Sequence, residues 1–149
     1  MLKMKLFLLS LFICLISTSA FAEGFLCVAD AATGFKYNKS NQAWKSSTFN
    51  VEKNKYIIRR PTEEDEYRSA KFKNAKWVVS EFGSTTLSYD CAKDINEYGY
   101  LNCAFYSFGK FIFNSKELRY QIYMQGAYLS NDNEWIDSPH IEIGTCSKI

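Results

Sequence analysis

The sequence predicts an all-β protein: a small antiparallel β-barrel or β-sandwich of about eight short strands, with one short helical turn and two disulfides. Three observations predict it. Apolar and polar residues alternate with a period of two along much of the chain. Turn-forming segments interrupt this alternation roughly every 8 to 15 residues. An even number of cysteines follows a segment that has the features of an export signal.

Residues 1–22 are interpreted as a secretory signal peptide. Lys3 and Lys5 give a positive start, an apolar run of eleven residues follows at 6–16, and Ala20-Phe21-Ala22 has the small-x-small pattern of a signal peptidase site. Eleven helical residues would span about 16 Å, too little for a hydrocarbon core of about 30 Å. We expect cleavage after Ala22, a single β domain at 23–149, a periplasmic or secreted location and no stable membrane anchor.

Four cysteines remain after cleavage, because Cys14 leaves with the signal. Four cysteines allow three pairings. We expect Cys27–Cys146, which would tie the first predicted strand to the last, and Cys91–Cys103, which would close a short loop. In a chain-entropy treatment, closing the short loop contributes about 3 kcal/mol and closing the long one about 5 kcal/mol. The alternative is four reduced, buried cysteines.

The first half of the mature chain is expected to form short strands separated by polar turns. The strand candidates are 25–29, 35–37, 44–49, 55–59, 72–82 and 85–89. Residues 31–34 (AATG) are interpreted as a break between the first two strands. Residues 62–68 (TEEDEYR) are interpreted as a charged, solvated loop.

The second half begins with the expected helical turn at 91–98, which Gly99 would close. Strands follow at 100–106, 110–113, 118–124 and 140–145, with a polar loop at 131–138. The 118–124 strand alternates most clearly, with Leu118, Tyr120, Ile122 and Met124 on one face and Arg119, Gln121 and Tyr123 on the other. In the last strand, Ile141 and Ile143 share a face that Cys146 does not. Either Gly144 lies in a bulge or Cys146 lies beyond the strand.

Two segments repeat the pattern aromatic-x-aromatic-Asn, at 35–38 (FKYN) and 111–114 (FIFN). Two aromatic residues spaced two apart share one face of a strand, and Asn at the strand end accepts turn geometry. The repeat is either a duplicated recognition hairpin or two ordinary hairpins with similar turn chemistry.

Four stretches are strand starts, turns and cysteines: FLCV at 25–28, ATGF at 32–35, FIFN at 111–114 and IEIGTC at 141–146. In these motifs most of the mature chain resembles small exported bacterial proteins of unknown function. The resemblance implies a bacterial envelope or secreted protein, and it implies no activity and no functional residue. More loosely, the expected architecture is similar to that of periplasmic lysozyme inhibitors, although their inhibitory loop motif is not evident here.

The composition excludes several classes of protein. Aromatic residues make up 17% and apolar residues 47% of the chain, which is atypical of disordered proteins. One histidine and no Cys-x-x-Cys pair exclude the common structural zinc modules. Residues 1–22 carry two lysines and no acid, so 16 basic and 16 acidic residues remain after cleavage. A chain without net charge lacks the basic field that attracts nucleic acid or anionic lipid.

Catalytic and metal sites are not expected. His140 is the only histidine, and no Gly-x-Ser-x-Gly nucleophile motif accompanies it. The acids at 63–66 could in principle form a glycosidase pair, but four adjacent acids in a loop indicate solvated charge. The acids and amides at 131–137 lack the central glycine of a calcium loop. We expect no metal and no cofactor.

Binding is the expected activity, because ten tyrosines and three tryptophans suit recognition surfaces as well as cores. The expected binding residues are Trp135 in the polar loop, with Tyr123 and Arg119 on the polar face of the 118–124 strand. The first interpretation is a non-enzymatic exported protein that binds a macromolecule or a small ligand. The alternatives are an inhibitor of an envelope-acting enzyme and a small hydrolase. An enclosed apolar cavity would instead indicate a carrier.

Overall fold

The computed structural model describes residues 23–68, 74–105, 108–128 and 138–149. The predicted signal peptide and Trp135 lie outside these residues. The strands are β1 (Gly24–Asn38), β2 (Ala43–Phe49), β3 (Lys55–Arg59), β4 (Trp77–Glu81), β5 (Leu87–Cys91), β6 (Tyr100–Phe105), β7 (Gly109–Asn114), β8 (Arg119–Met124) and β9 (His140–Lys148). One short helix, α1 (Glu63–Arg68), and a 3-10 turn at Gly126–Tyr128 complete the described elements.

The strands form a closed antiparallel barrel. Each strand from β3 to β9 pairs with the next, β1 pairs with β3, and β9 returns to pair with β1. Eight strands close the barrel, and β2 is an extra strand on the outer part of β1. The predicted all-β class is confirmed, and a barrel is the form it takes.

β1 is much longer than its sequence suggests, with 15 residues. Its first part pairs with β3, a bulge at Asp30 interrupts the register with β9, and residues 32–38 pair with β2. The predicted break at 31–34 is wrong, because the bulge lets the strand continue. A side chain on Gly34 would collide with the Pro139 carbonyl oxygen, so close approach of the chain before β9 accounts for a small residue there. We call β2 and residues 32–38 the arm.

The core fills the barrel with aromatic and aliphatic side chains. Its members come from seven of the eight barrel strands, and β9 adds the partly buried Cys146: Phe25, Cys27, Tyr56, Ile58, Trp77, Val79, Tyr89, Cys91, Leu101, Cys103, Phe111, Phe113, Tyr120 and Ile122. Both predicted disulfides, Cys27–Cys146 and Cys91–Cys103, are confirmed. The first joins β1 to β9 across the closing seam of the barrel, where the two cysteines are direct cross-strand partners.

The helical turn predicted at 91–98 is wrong, because these residues form the end of β5 and a non-helical connection. Asp94 accepts a hydrogen bond from the Ile95 N–H, and Asn96 accepts hydrogen bonds from the N–H groups of Tyr98 and Tyr100. Such side-chain bonds to nearby backbone compete with helical hydrogen bonds. Gly99 still adopts a positive φ of 91°, as expected of a closing glycine.

The α-helix of the described residues forms instead in the segment predicted to be a solvated loop. The Thr62 N–H and hydroxyl both donate to Asp65, and the Asp65 N–H donates to the Thr62 carbonyl, which is a capping arrangement at the start of α1. Asp65 is buried and accepts two hydrogen bonds from the Arg59 guanidinium at 2.6 and 3.0 Å. A solvated loop is therefore the wrong interpretation of this acidic run.

β9 presents its isoleucines to the outside of the barrel. Ile141 and Ile143 are 41% and 50% exposed, whereas Glu142 is buried and Cys146 forms its disulfide within the strand. Neither of the two predicted alternatives holds, because the bulge lies in β1 rather than at Gly144. The face of β9 that carries Cys146 therefore points into the barrel, and its buried side chain is the carboxylate of Glu142.

Candidate functional site on the outer wall of the barrel

The centre of the barrel is occupied by packed rings. Phe111 stacks on Tyr120 with 5.0 Å between ring centroids, and Tyr56 and Tyr89 contact Phe111 at 5.8 and 5.6 Å. Side chains fill the position where a barrel of this size could hold a small ligand. Among the described residues, the surface open to a ligand therefore lies on the outside of the barrel.

Glu142 is a buried carboxylate that sequence reasoning missed. It is 1% exposed and accepts hydrogen bonds from the Tyr120 hydroxyl at 2.8 Å and the Asn54 amide at 2.6 Å. Burial, followed by the hydrogen bond to Glu142 and its charge, raises the pKa of Tyr120 above its ordinary value. The phenol therefore keeps its proton and remains a donor. The available signal was the parity of Cys146, since residues 142 and 146 share a face of one strand.

The two described residues of the predicted binding set lie on one wall. Arg119 and Tyr123 both point outward from β8, about 14 Å apart at roughly 3.4 Å per residue. Tyr123 is 43% exposed and lies opposite Ile141 of β9. The prediction for Trp135 concerns a residue outside the described part of the chain.

An exposed apolar surface runs from this wall onto the arm, and we call it the outer face. Its members share outward orientation or direct ring contact: Phe35, Tyr37, Trp44, Tyr123, Tyr128, Ile141 and Ile143. Thr33 lies opposite Ile141, and alternation along β1 then places Phe35 and Tyr37 on the same side. This alternation makes the wall and the arm one continuous surface.

Aromatic contacts hold the arm end of the outer face together. The rings of Tyr37 and Trp44 are cross-strand partners 5.4 Å apart, and Trp44 meets Tyr128 edge-on at 5.7 Å. Sequence reasoning did not select these residues as binding candidates. The repeated aromatic-x-aromatic-Asn pattern was the signal, but its two copies have opposite roles. Phe111 and Phe113 are fully buried, whereas Phe35 is exposed.

A groove of about 520 Å³ lies at the other end of the outer face. Its lining includes Asp30, Tyr100, Ile112, Glu117, Arg119, Gln121 and Ile143. Among the described residues, the ion pairs involve Arg59 and Arg60, so Arg119 has no carboxylate partner. The groove thus combines apolar side chains with exposed acids and a guanidinium that has no carboxylate partner among the described residues.

A second cleft, of about 680 Å³, lies at one end of the barrel beside Trp77. Arg60 stacks over the indole with 3.9 Å to the ring centroid and pairs with Asp94 and Glu23. The hydrogen bond from Trp77 Nε1, together with those from Arg60, lowers the pKa of Asp94 to about 2. The charged groups on this side of the cleft, Arg60, Asp94 and Glu23, thus pair with one another and form a structural cluster.

The residues considered for catalysis are not brought together. The His140 ring packs against Phe49 at 5.6 Å, and its Nδ1 lies 2.8 Å from the Ser138 carbonyl oxygen. Asp65 is paired with Arg59 as described above. Across 23–68, 74–105, 108–128 and 138–149, no group of three or more His, Cys, Asp or Glu side chains is arranged to hold a metal ion.

The chemistry available on the outer face is recognition. Tyrosine and tryptophan offer apolar rings with a polar group, and arginine adds a planar donor.

Within the described ranges, no helix has the length and apolar character needed to span a membrane. Comparisons of the chain with protein-family models, with curated proteins and with solved structures find no match.

Proposed function

We propose that this protein is exported and acts by binding a macromolecule or ligand on its outer face, without turnover. One observation carries the proposal. The exposed pair Tyr123 and Ile141 is continuous with the aromatic cluster of the arm, on a barrel whose centre is packed. Soluble proteins rarely leave a contiguous apolar surface exposed unless it contacts something.

Two disulfides are compatible with an oxidising compartment outside the cytoplasm. We propose a periplasmic or secreted location after cleavage behind Ala22. The intact mass of the exported protein tests this, and it should correspond to a chain that begins at Glu23. A mass that includes residues 1–22 would contradict the proposed cleavage.

Capture experiments test the binding proposal. The exported protein is immobilised and exposed to extracts of the cell envelope and to culture medium, beside the variants Tyr123→Ala and Phe82→Ala. Phe82 is 60% exposed in the turn after β4, so it is a control for the loss of an exposed ring elsewhere. We expect Tyr123→Ala to lose the partner and Phe82→Ala to retain it. Equal capture by all three proteins would contradict a role for the outer face.

A second candidate, inhibition of an envelope-acting enzyme, is favoured by the shape of the arm. Residues 35–38 extend past the end of the β1–β9 pairing, and the turn after them exposes Lys39 and Ser40. A projecting hairpin can enter the active-site cleft of another protein. If this function holds, the protein should inhibit lysozyme or another envelope hydrolase, and shortening the turn at 39–42 should abolish inhibition while the barrel stays folded.

A further inference from the structure

We propose that the ligand of the outer face is an extended, neutral polysaccharide. Its sugar rings lie on the aromatic side chains, and its hydroxyl groups enter the groove beside Arg119. This inference rests on the proposed function, because it specifies what the outer face binds.

The position of the outer face on the sheet restricts how a ligand can be held. β8 pairs with β7 and β9, and β9 pairs with β8 and β1, so the backbone groups of these strands are engaged on both sides. A peptide that adds a strand needs a free edge, which β8 and β9 do not offer. Among the described strands of the outer face, β2 has such an edge, because it pairs only with β1. Recognition on β8 and β9 depends on side chains alone.

The aromatic side chains offer a series of exposed and half-exposed rings that are inclined to one another, by 57° for Tyr37 and Trp44. Phe35 and Tyr37 are two residues apart on β1, about 7 Å, and Tyr37 contacts Trp44 on β2. From the β1 residue opposite Ile143 to Tyr37 the surface extends about 20 Å at roughly 3.4 Å per residue. Sugar rings have apolar C–H faces that pack on aromatic rings, so a ligand of repeated rings matches a surface of repeated aromatic rings.

The groove specifies the charge of the ligand. Arg119 presents only donors, Asp30 and Glu117 present only acceptors, and Gln121 presents both. An anionic ligand would meet the two acids, and a cationic ligand would meet the Arg119 guanidinium. Hydroxyl groups donate and accept, so a neutral polyhydroxylated chain satisfies both kinds of side chain without a charge conflict.

Titration calorimetry tests the inference on the exported product of the full chain. The probes are chitohexaose, cellohexaose and maltohexaose, with the corresponding disaccharides for length and alginate and heparin for charge. We expect at least one neutral hexasaccharide to bind at millimolar or lower concentration, at least about tenfold more tightly than its disaccharide. Tyr123→Ala and Arg119→Gln should each weaken that binding about tenfold, and Phe82→Ala should leave it unchanged.

The outcomes separate this inference from the proposed function. If no neutral hexasaccharide binds, or if alginate or heparin binds more tightly, the inference is wrong. If Tyr123→Ala still binds the saccharide as well as the original protein does, the site is elsewhere and the inference is also wrong. A protein captured from the envelope through Tyr123, without saccharide binding, would overturn the inference and leave the proposed function standing.

Discussion

The hydroxyl of Tyr120 donates a hydrogen bond of 2.8 Å to the carboxylate of Glu142 inside the barrel. This bond joins β8 to β9, and the Asn54 amide donates to the second oxygen of the same carboxylate. The main-chain carbonyl of Asn54 also accepts a hydrogen bond from the Ala29 N–H. One buried acid therefore connects β8 and β9 to the turn before β3.

Removing the Tyr120 hydroxyl should destabilise the protein. Tyr120→Phe keeps the packing but leaves an oxygen of buried Glu142 without its donor, which costs about 1–3 kcal/mol. Urea unfolding measures the change. The matched control is Tyr123→Phe, which removes an exposed hydroxyl and should change stability by no more than about 0.5 kcal/mol. Similar losses in both variants would contradict a special role for the buried bond.

The two disulfides should contribute unequally to stability. Cys27–Cys146 closes a loop of sequence separation 119 and Cys91–Cys103 one of 12, so the chain-entropy treatment assigns about 5 and about 3 kcal/mol. Replacing each pair by alanines and comparing urea midpoints tests this order. Peptide mapping without reduction checks the pairing itself, and a larger loss from the short loop would contradict the entropic explanation.

Stability should fall in acid as Asp65 becomes protonated. Hydrogen bonds from Arg59, with those from Thr62, lower the pKa of Asp65 to about 2. Its unfolded pKa is about 3.9, so its contribution is complete above about pH 4 and is lost as the pH falls towards 2. Asp65→Asn should be less stable at neutral pH and should lose less stability over this window.

Glu63→Gln is the control for the acid experiment, because Glu63 is an exposed acid of the same helix. Between pH 2 and 4, the free energy of unfolding of Glu63→Gln should change with pH as it does in the original protein, within about 0.5 kcal/mol. Asp94, whose pKa is also about 2, maintains part of the dependence in both variants. An unchanged slope in Asp65→Asn would assign the acid sensitivity to Asp94 instead.

Trp135 remains a predicted contact residue. Trp135→Ala should leave stability within about 0.5 kcal/mol, as expected for a loop side chain, and should weaken partner binding by about 1 kcal/mol or more. Thermal unfolding and binding titration measure the two effects. Unfolding with intact binding would make Trp135 a core cap.

His140→Ala should affect only local packing with Phe49, and an activity lost in that folded variant would overturn the non-enzymatic proposal.

The strand pattern was predictable where a short apolar run lies between polar turns or where apolar and polar residues alternate. β3 (Lys55–Arg59) matches its predicted range, and in β8 Tyr120 and Ile122 are buried while Arg119 and Gln121 are exposed. The errors have a common physical origin. Local composition does not reveal the close approach that requires Gly34, and it does not reveal that Arg59 removes Asp65 from solvent.

The candidate site was predictable only in part, for a similar reason. Tyr123 was accessible to sequence reasoning because it lies on the polar face of an alternating strand. Sequence reasoning could not find the arm residues Tyr37 and Trp44. The same aromatic spacing occurs at Phe111 and Phe113, whose side chains are buried in the core. Which face of a strand meets water depends on its partners, and β1 changes partners along its length.

The closure of the barrel by β1 and β9 determines when the protein can fold. These strands are the first and last of the described elements, and no barrel exists until both are present. If the chain is exported from its amino end, as we propose, it emerges with an incomplete sheet in which β1 lacks its β9 partner. Pairing of distant strands is slow, so we expect an exported chain to need protection of its free strand edges until β9 arrives.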